Sequence, residues 1–154
     1  MKTKDIMTTD PVTCTPDTTL ADAAHLMWEA DCGMLPVVDG GAIEGVVTDR
    51  DMYVALATRN ARAAGLKVGA VATKTVVTCA PEDDVHAALA LMKQAHVRRL
   101  PVIGFGGIVL GILSMNDVVL AVGEGDQTVT SEDVVEALKA ICGHHHPVRH
   151  VVAA

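Results

Sequence analysis

The chain of 154 residues has a formal net charge of −7, and half of its residues are apolar although only three are aromatic. This acidity disfavours binding to nucleic acid or to anionic membranes, and no apolar run approaches the ~20 residues of a membrane-spanning helix. No long apolar stretch follows the basic start "MKTKD", so we expect no signal peptide and a cytoplasmic location. The large share of aliphatic residues predicts a homo-oligomer, because contact between subunits would cover the excess apolar surface.

An internal repeat is the strongest signal in the sequence. "VTCTPDTTLADAAHLM" at 12–27 aligns with "VTCAPEDDVHAALALM" at 77–92, and "MLPVV" at 34–38 aligns with "RLPVI" at 99–103. After one inserted residue, "GVVTDRDMYVA" aligns with "GILSMNDVVLA". Two copies of this length do not fit a solenoid. We expect a pseudo-twofold pair, with repeat 1 over 1–60, repeat 2 over 61–124, and a C-terminal helix and tail over 125–154.

Each repeat is predicted to be strand–helix–strand–strand–helix, an α+β fold that begins with an extended segment around Val12 or Val77. Its first helix follows capping residues and has apolar positions at helical spacing. These positions are Leu20, Ala23, Ala24 and Met27 in repeat 1, and Val85, Ala88, Leu89 and Met92 in repeat 2.

Aliphatic runs and turn residues predict the rest of each repeat. Strands are expected at 35–39 and 43–47, and again at 100–104 and 108–113, separated by glycine-rich turns. A second helix is expected from Asp49 and from Met115. Residues 57–70 are predicted to hold the helix end and a linker, with Gly65 as the helix stop.

A third kind of helix is predicted at "TSEDVVEALKAICG", 130–143. It has a capping threonine and an acidic first turn, and it stops at Gly143. Its expected apolar face must dock on the same chain or on a second subunit. That face consists of Val134, Val135, Leu138, Ile141 and Cys142.

The four cysteines form no C-x-x-C pair, and we expect small buried thiols in a reducing compartment. A redox or metal switch through Cys14, Cys79, Cys142 and the "HHHPVRH" stretch at 144–150 is the weakest alternative, because nothing is spaced to complete a tetrahedral site. No Ser–His–Asp or Cys–His arrangement is present, so we expect no enzyme and no required cofactor or metal.

The stretch "GVVTDRD" and its counterpart "GILSMND" carry the functional prediction. A single T-x-x-D is close to a capping box and says little about function. Here the motif occurs twice, each time after a glycine and two aliphatic residues at a strand end. The helix start offers free N–H groups to a phosphate, and an aspartate there suits the hydroxyls of a ribose.

The order T-C-x-P, L-P-V, G-h-h-[ST]-x-x-D, twice, resembles a pair of CBS domains of the stand-alone bacterial type up to about Val122. The resemblance implies a regulatory Bateman module, which binds AMP, ADP, ATP or S-adenosylmethionine in a cleft between its repeats. Asp51 and Asp117 would hold ribose hydroxyls, and Thr48 and Ser114 would contact ribose or phosphate. Adenine would lie among aliphatic strand residues, Ile112 included.

The resemblance also implies that each cleft site combines both repeats. Val12 and Gly33 would line the Ser114/Asp117 site, and Val77 and Arg98 would line the Thr48/Asp51 site. Phosphate would be held by basic residues, for which Arg50, Arg98 and Arg99 are the candidates.

The repeats differ at these basic positions, since Gly33 and Met34 replace the arginine pair and Asn116 replaces Arg50. One strong and one weak or empty site is therefore expected. CBS pairs commonly dimerise into a flat disc, with which the apolar excess agrees, and the regulated partner is unknown. The alternative function is a protein-interaction module whose nucleotide sites are silent.

Overall fold

The computed structural model describes residues 1–123 and 128–143. None of the helices within these ranges is long and apolar enough to cross a membrane. Single 3₁₀ turns lie at Ala63–Gly65, Val68–Ala70 and Phe105–Gly107. In chain order the helices and strands are α1 (Thr3–Ile6), β1 (Thr8–Thr9), α2 (Leu20–Glu29), β2 (Met34–Asp39), β3 (Ala42–Thr48), α3 (Asp49–Arg59), α4 (Val85–Ala95), β4 (Arg99–Ile103), β5 (Val109–Ser114), α5 (Met115–Ala121) and α6 (Ser131–Cys142).

The predicted helices are confirmed, including the starts of α3 and α5 at Asp49 and Met115. The predicted apolar faces of α2 and α4 are buried, with the exception of Ala24, which is exposed. The helix stop at Gly65 is wrong. Helix α3 ends at Arg59 and is capped by Asn60. The φ of Asn60 is 47°, in the left-handed region, and its amide donates to the Leu56 carbonyl, an arrangement that asparagine tolerates at helix ends.

Each repeat contains an antiparallel hairpin, formed by β2 and β3 in the first and by β4 and β5 in the second. Both hairpins have a register shift at equivalent places, after Val37 and after Val102. The expected first strand of each repeat is reduced to one parallel bridge, from Cys14 to Val37 and from Cys79 to Val102. The repeats are thus alike in backbone detail as well as in sequence.

The leading segments of the two repeats are exchanged. Strand β1 pairs with β5 of the second repeat, and Met1, Ile6 and Met7 pack against the second core. In the same way Leu66, Val68 and the segment up to Ala72 pack in the first core. The packing therefore crosses the sequence division at residue 60, because each core is completed by a segment that precedes the other repeat.

Helix α6 docks on its own chain. Val134 and Ala137 are buried in the second core with residues of α4 and α5. Val135 and Cys142, which were expected on the apolar face, are exposed. The helix begins with the predicted cap at Thr130 and stops at Gly143. The His-rich stretch at 144–150 lies outside the described residues.

Candidate functional site

The two signature motifs fold into the same local structure. The Thr48 amide and hydroxyl donate to Asp51 Oδ2 at 3.0 and 2.7 Å, and the Asp51 amide donates back to Thr48 Oγ1 at 3.1 Å. At the second signature the corresponding distances between Ser114 and Asp117 are 2.7, 2.7 and 3.3 Å. Both motifs are therefore capping boxes that start α3 and α5.

The same box also occurs away from the signatures. Thr130 and Asp133 start α6 with bonds of 2.9, 2.6 and 3.2 Å. The hydroxyl of Thr130 and its amide hold the pKa of the Asp133 carboxyl below its usual range, and the Asp133 carboxylate also lies 3.6 Å from the His86 ring. The capping bonds alone therefore do not identify a binding site. A binding site at the signatures has to be argued from the residues that surround them.

Both signature carboxylates keep one oxygen open, as, among the described residues, the carboxylate of Asp133 also does. Asp51 and Asp117 are half-buried, and in both the capping bonds go to Oδ2. Among the described residues, no hydrogen bond to Oδ1 of either carboxylate is recorded. Each signature thus holds a fixed carboxylate with one oxygen left to accept bonds from a ligand hydroxyl.

The signatures differ from the box at Thr130 in that a segment of the other repeat crosses each signature strand. Thr73 exchanges two backbone bonds with Val46 at 2.9 and 3.0 Å, and Thr8 lies opposite Ile112. The signature glycines permit this approach. A β-carbon at Gly45 would lie 2.9 Å from the Thr73 carbonyl oxygen, which is closer than a side chain tolerates.

These crossings locate Val12 and Val77. Val12 lies between Thr9, which pairs with the second repeat, and Cys14, which pairs with the first. Val77 lies in the corresponding stretch between Thr73 and Cys79. Both valines therefore lie where the chain passes from one repeat to the other, as their expected role in the cleft requires, although the ligand contact itself stays a prediction.

Arg99 links the two signatures. It lies opposite Ser114 in the β4–β5 hairpin, while its guanidinium lies 3.7 Å from the position that a β-carbon on Gly33 would occupy. The same position is 3.0 Å from Asp49 Oδ2, and the Gly33 carbonyl accepts a bond from the Asp49 amide. An arginine of the second repeat thus reaches the start of α3 in the first.

The other expected residues are placed differently. The Arg98 guanidinium lies 3.5 Å from Cys142 Sγ on α6, so its recorded contact is with α6 and not with the first signature. Gly33 contacts the first signature helix through Asp49, and its predicted place at the second signature stays a prediction. Arg50 is exposed, and its amide bonds to Asp49 Oδ1.

The sequence reasoning missed the crossing threonines Thr8 and Thr73 and the residue Asp49. The available clue was a glycine inside each signature strand, since such glycines often mark a close backbone approach. Asp49 matters because its carboxylate lies beside the helix start at which a phosphate was expected, and it lowers the positive potential there.

All four cysteines are free thiols. Burial raises the pKa of Cys14 to about 11, and burial together with the nearby Asp83 carboxylate raises the pKa of Cys79 to the same value. Within residues 1–123 and 128–143, no group of His, Cys, Asp and Glu is arranged to hold a metal ion. The two buried thiols therefore behave as packing residues.

Comparison with known proteins gives a consistent result. The family model of the CBS domain matches residues 4–58 and 68–124. The protein YhcV of Bacillus subtilis, a CBS domain-containing protein, is 35% identical over 114 residues, which are 74% of this chain and 80% of YhcV. The inosine-5'-monophosphate dehydrogenase of Mycobacterium leprae is 37% identical over 115 residues, but the match covers 73% of this chain and only 21% of that enzyme.

Solved structures agree with this match. Hypoxic Response Protein I, solved with two coordinated zinc ions, aligns with a TM-score of 0.71 at 26% identity and covers 78% of this chain and 98% of its own. The CBS domain pair of MJ0100, in complex with 5'-methylthioadenosine and S-adenosyl-L-methionine, aligns with a TM-score of 0.73 at 25% identity, over 80% of this chain and 100% of that pair.

CBSX2 in complex with AMP aligns with a TM-score of 0.68 at 28% identity and covers 78% of this chain and 94% of its own. The family model matches the chain twice, and the relatives and the exchange of leading segments between the repeats agree with that match. The chain belongs to the CBS-domain family and is a tandem CBS pair.

Proposed function

We propose that this CBS pair is a non-catalytic sensor that binds an adenosine nucleotide, AMP, ADP or ATP, between its repeats. The observation that carries the proposal is the pair of half-buried carboxylates, Asp51 and Asp117. Each is held by a capping box and keeps one oxygen open, and each follows a strand crossed by the other repeat. The AMP held by CBSX2 supports the ligand class, and S-adenosylmethionine, as held by MJ0100, remains in that class.

The proposed roles follow the motif. Asp51 and Asp117 accept bonds from the paired hydroxyls of ribose, and Thr48 and Ser114 flank them at the helix start. Val12, Val77 and Ile112 supply apolar contacts to adenine. Gly33 lines the Ser114/Asp117 site. The amides of Asp49, Arg50 and Asp51 are already bonded within the chain. Phosphate would therefore be attracted by the dipole of the helix start, with Arg50, Arg98 and Arg99 as the candidate cations.

Regulation would come from the crossing segments. Because a bound nucleotide would touch a signature of one repeat and the leading segment of the other, its binding would favour one packing of the two repeats. A ligand shifts such an equilibrium only by its difference in affinity for the two packings. The regulated partner would read that packing, and its identity is not implied by the site.

We also propose that the chain acts in the cytoplasm as a homodimer. The free thiols fit a reducing compartment, and the exposed apolar side chains fit a covered contact. Trp28 is 84% exposed, Tyr53 74% and Leu120 73%.

A second candidate function is a protein-interaction module without a nucleotide. It is favoured by the box at Thr130 and Asp133, which shows that the capping bonds of the signatures need no ligand to explain them. Thermal unfolding with AMP, ADP and ATP separates the two functions. A ligand at a hundredfold excess over its dissociation constant adds about 2.7 kcal/mol of stability.

The matched control uses the same box elsewhere. Replacing both Asp51 and Asp117 by alanine should abolish the nucleotide-induced rise in melting temperature. Asp133→Ala removes an equivalent cap from α6 and should leave the rise intact. If no adenosine nucleotide changes the melting temperature of the wild-type chain, the sensor is refuted and the interaction module is favoured.

A further inference from the structure

The start of α3 has a carboxylate that the second repeat lacks. Asp49 follows the capping residue Thr48 directly, and its side chain is exposed. The repeat relation places Met115 at the same position of the second signature, where it is only 4% exposed and belongs to the second core. A charged group directly after the capping residue is therefore a property of the first signature alone.

Asp49 shares its surroundings with the Arg99 guanidinium. The position of a β-carbon on Gly33 is 3.0 Å from Asp49 Oδ2 and 3.7 Å from Arg99 Nη2, so both groups border the space that the glycine leaves empty. Both also line one open depression of about 620 Å³. Among residues 1–123 and 128–143, no ion pair between them and no hydrogen bond to Asp49 Oδ2 is recorded. A ligand that reaches Arg99 therefore also meets this carboxylate.

The formal charges at the start of α3 cancel. Arg50 and Arg99 supply two cations there, and Asp49 and Asp51 supply two carboxylates. The amides of the first turn are bonded within the chain, so the remaining surplus is the helix dipole, which is equivalent to about half a positive charge. Such a surplus suits one phosphate better than a chain of phosphates.

Charge is what distinguishes the adenosine ligands at this place, because all of them share the adenine and the ribose. Adenosine is neutral, whereas AMP carries about two negative charges above its phosphate pKa near 6 and ATP carries about four. A ribose held by Asp51 keeps its 5′ substituent within the Debye length of Asp49, about 8 Å at physiological salt, since both residues lie in the same helical turn. Each added phosphate would therefore be repelled by the Asp49 carboxylate.

We propose that Asp49 determines the specificity of the first signature, which selects AMP and disfavours ADP and ATP because their additional phosphates are repelled. The second signature, with Met115 in place of Asp49, lacks this repulsion. The inference rests on the proposed nucleotide sensor and names the ligand of its first site.

Calorimetric titration of the full chain with adenosine, AMP and ATP tests this role. EDTA is included, because Mg²⁺ would mask phosphate charge, and Asp117→Ala is added to confine binding to the first signature. In this background ATP should bind about tenfold more weakly than AMP, the effect of one carboxylate on two further charges near a protein surface. Adding Asp49→Asn should bring ATP to within about twofold of AMP and leave adenosine unchanged. Asp49→Glu, which retains the charge, should retain the preference for AMP.

The matched control for the lost charge is Glu132→Gln. Glu132 is exposed and lies in the first turn of α6, behind the capping residue Thr130, so this variant removes the same charge at another helix start. Its ratio of ATP to AMP affinity should equal that of the background chain.

The outcomes separate the specificity of Asp49 from the sensor itself. An unchanged ratio in Asp49→Asn, or an equal change in Glu132→Gln, would overturn the specificity while leaving the sensor standing. Binding that is present in the wild-type chain but lost in Asp117→Ala would place the ligand at the second signature and overturn it as well. If the wild-type chain binds none of the three ligands, the sensor is refuted and this inference with it.

Discussion

A β-carbon on Gly111 would lie 2.8 Å from the carbonyl oxygen of Thr8, although the two residues belong to different repeats. The contact is with backbone, which cannot move aside as a flexible side chain does. We expect Gly111→Ala to lower the free energy of unfolding by about 1–3 kcal/mol, the usual cost of overpacking. Gly45→Ala should act alike, because of its approach to Thr73. Urea denaturation measures both effects.

Gly65 is the matched control for these substitutions. It lies outside the left-handed region, and an added β-carbon there meets nothing within 4 Å. Gly65→Ala should leave the urea midpoint unchanged or raise it slightly. Equal stabilities of Gly65→Ala and Gly111→Ala would show that the crossing segment yields to the added methyl group.

The two signatures should bind nucleotide unequally. At the first signature Arg50 lies in the first turn of α3, and the Arg99 guanidinium lies near its start. The second signature has Asn116 in place of Arg50, and its helix α5 has only seven residues. We expect Asp51→Ala to weaken the dominant AMP binding by about 1.5–3 kcal/mol, the worth of hydrogen bonds to a charged group. Asp117→Ala should leave that binding largely intact. Calorimetric titration of both variants is decisive, and the reverse order would locate the stronger site at Ser114 and Asp117.

The cysteines should react with a thiol reagent in a defined order. Cys142 is exposed and Cys32 is half-buried, whereas burial gives Cys14 and Cys79 a pKa of about 11. At pH 8 roughly one buried thiol in a thousand is thiolate, even before access is considered. A dithionitrobenzoate assay on the folded chain should therefore detect Cys142 quickly, Cys32 more slowly, and the other two only after unfolding. Rapid reaction of all four thiols would contradict the packing of Cys14 and Cys79.

Stability should fall at acid pH through the carboxylates at the junction of α4 and α6. The hydroxyl of Thr130 lowers the pKa of Asp133, and the amide of His86 lowers the pKa of Asp84. A lowered folded-state pKa means that the stabilisation is complete above the unfolded value of about 3.9 and is lost as pH falls through the folded value. The urea midpoint should thus decline below about pH 4, in the range where unfolded carboxylates protonate.

Asp133→Asn should flatten that decline, because it removes one of the shifted groups. Asp10→Asn is the control, since Asp10 is exposed and no bond to its carboxylate is recorded in the described parts of the chain. An unchanged acid decline in Asp133→Asn would assign the pH dependence to other groups.

The sequence was sufficient for the helices and hairpins because these depend on neighbours a few residues apart. Helical spacing identified the buried face of α4 fully, and the capping boxes were located to the residue. The predicted burial of Ala24 was wrong, because no helix covers this part of α2. The spacing of apolar residues within α2 does not indicate whether another helix covers it.

Long-range placement was not available from the same patterns. The pairings of Thr8 and Thr73 are short and polar, so they leave no periodic signal. Arg98 and Arg99 were both assigned to phosphate, but Arg98 lies in a bend and Arg99 is the first residue of β4. The Arg98 guanidinium contacts α6, whereas the Arg99 guanidinium reaches Gly33. The sequence does not indicate this difference, because it depends on where α6 docks.

The exchange of leading segments also sets an order of events during synthesis. Thr8 and Thr9 leave the ribosome long before Ile112 and Gly111, their partners in β5. At typical elongation rates the delay is roughly 5–20 s, during which β1 and the apolar residues around it have no surface to pack on. The N-terminal segment is thus made early but docks late, and the nascent first repeat also waits for residues 66–72 before its own core is complete.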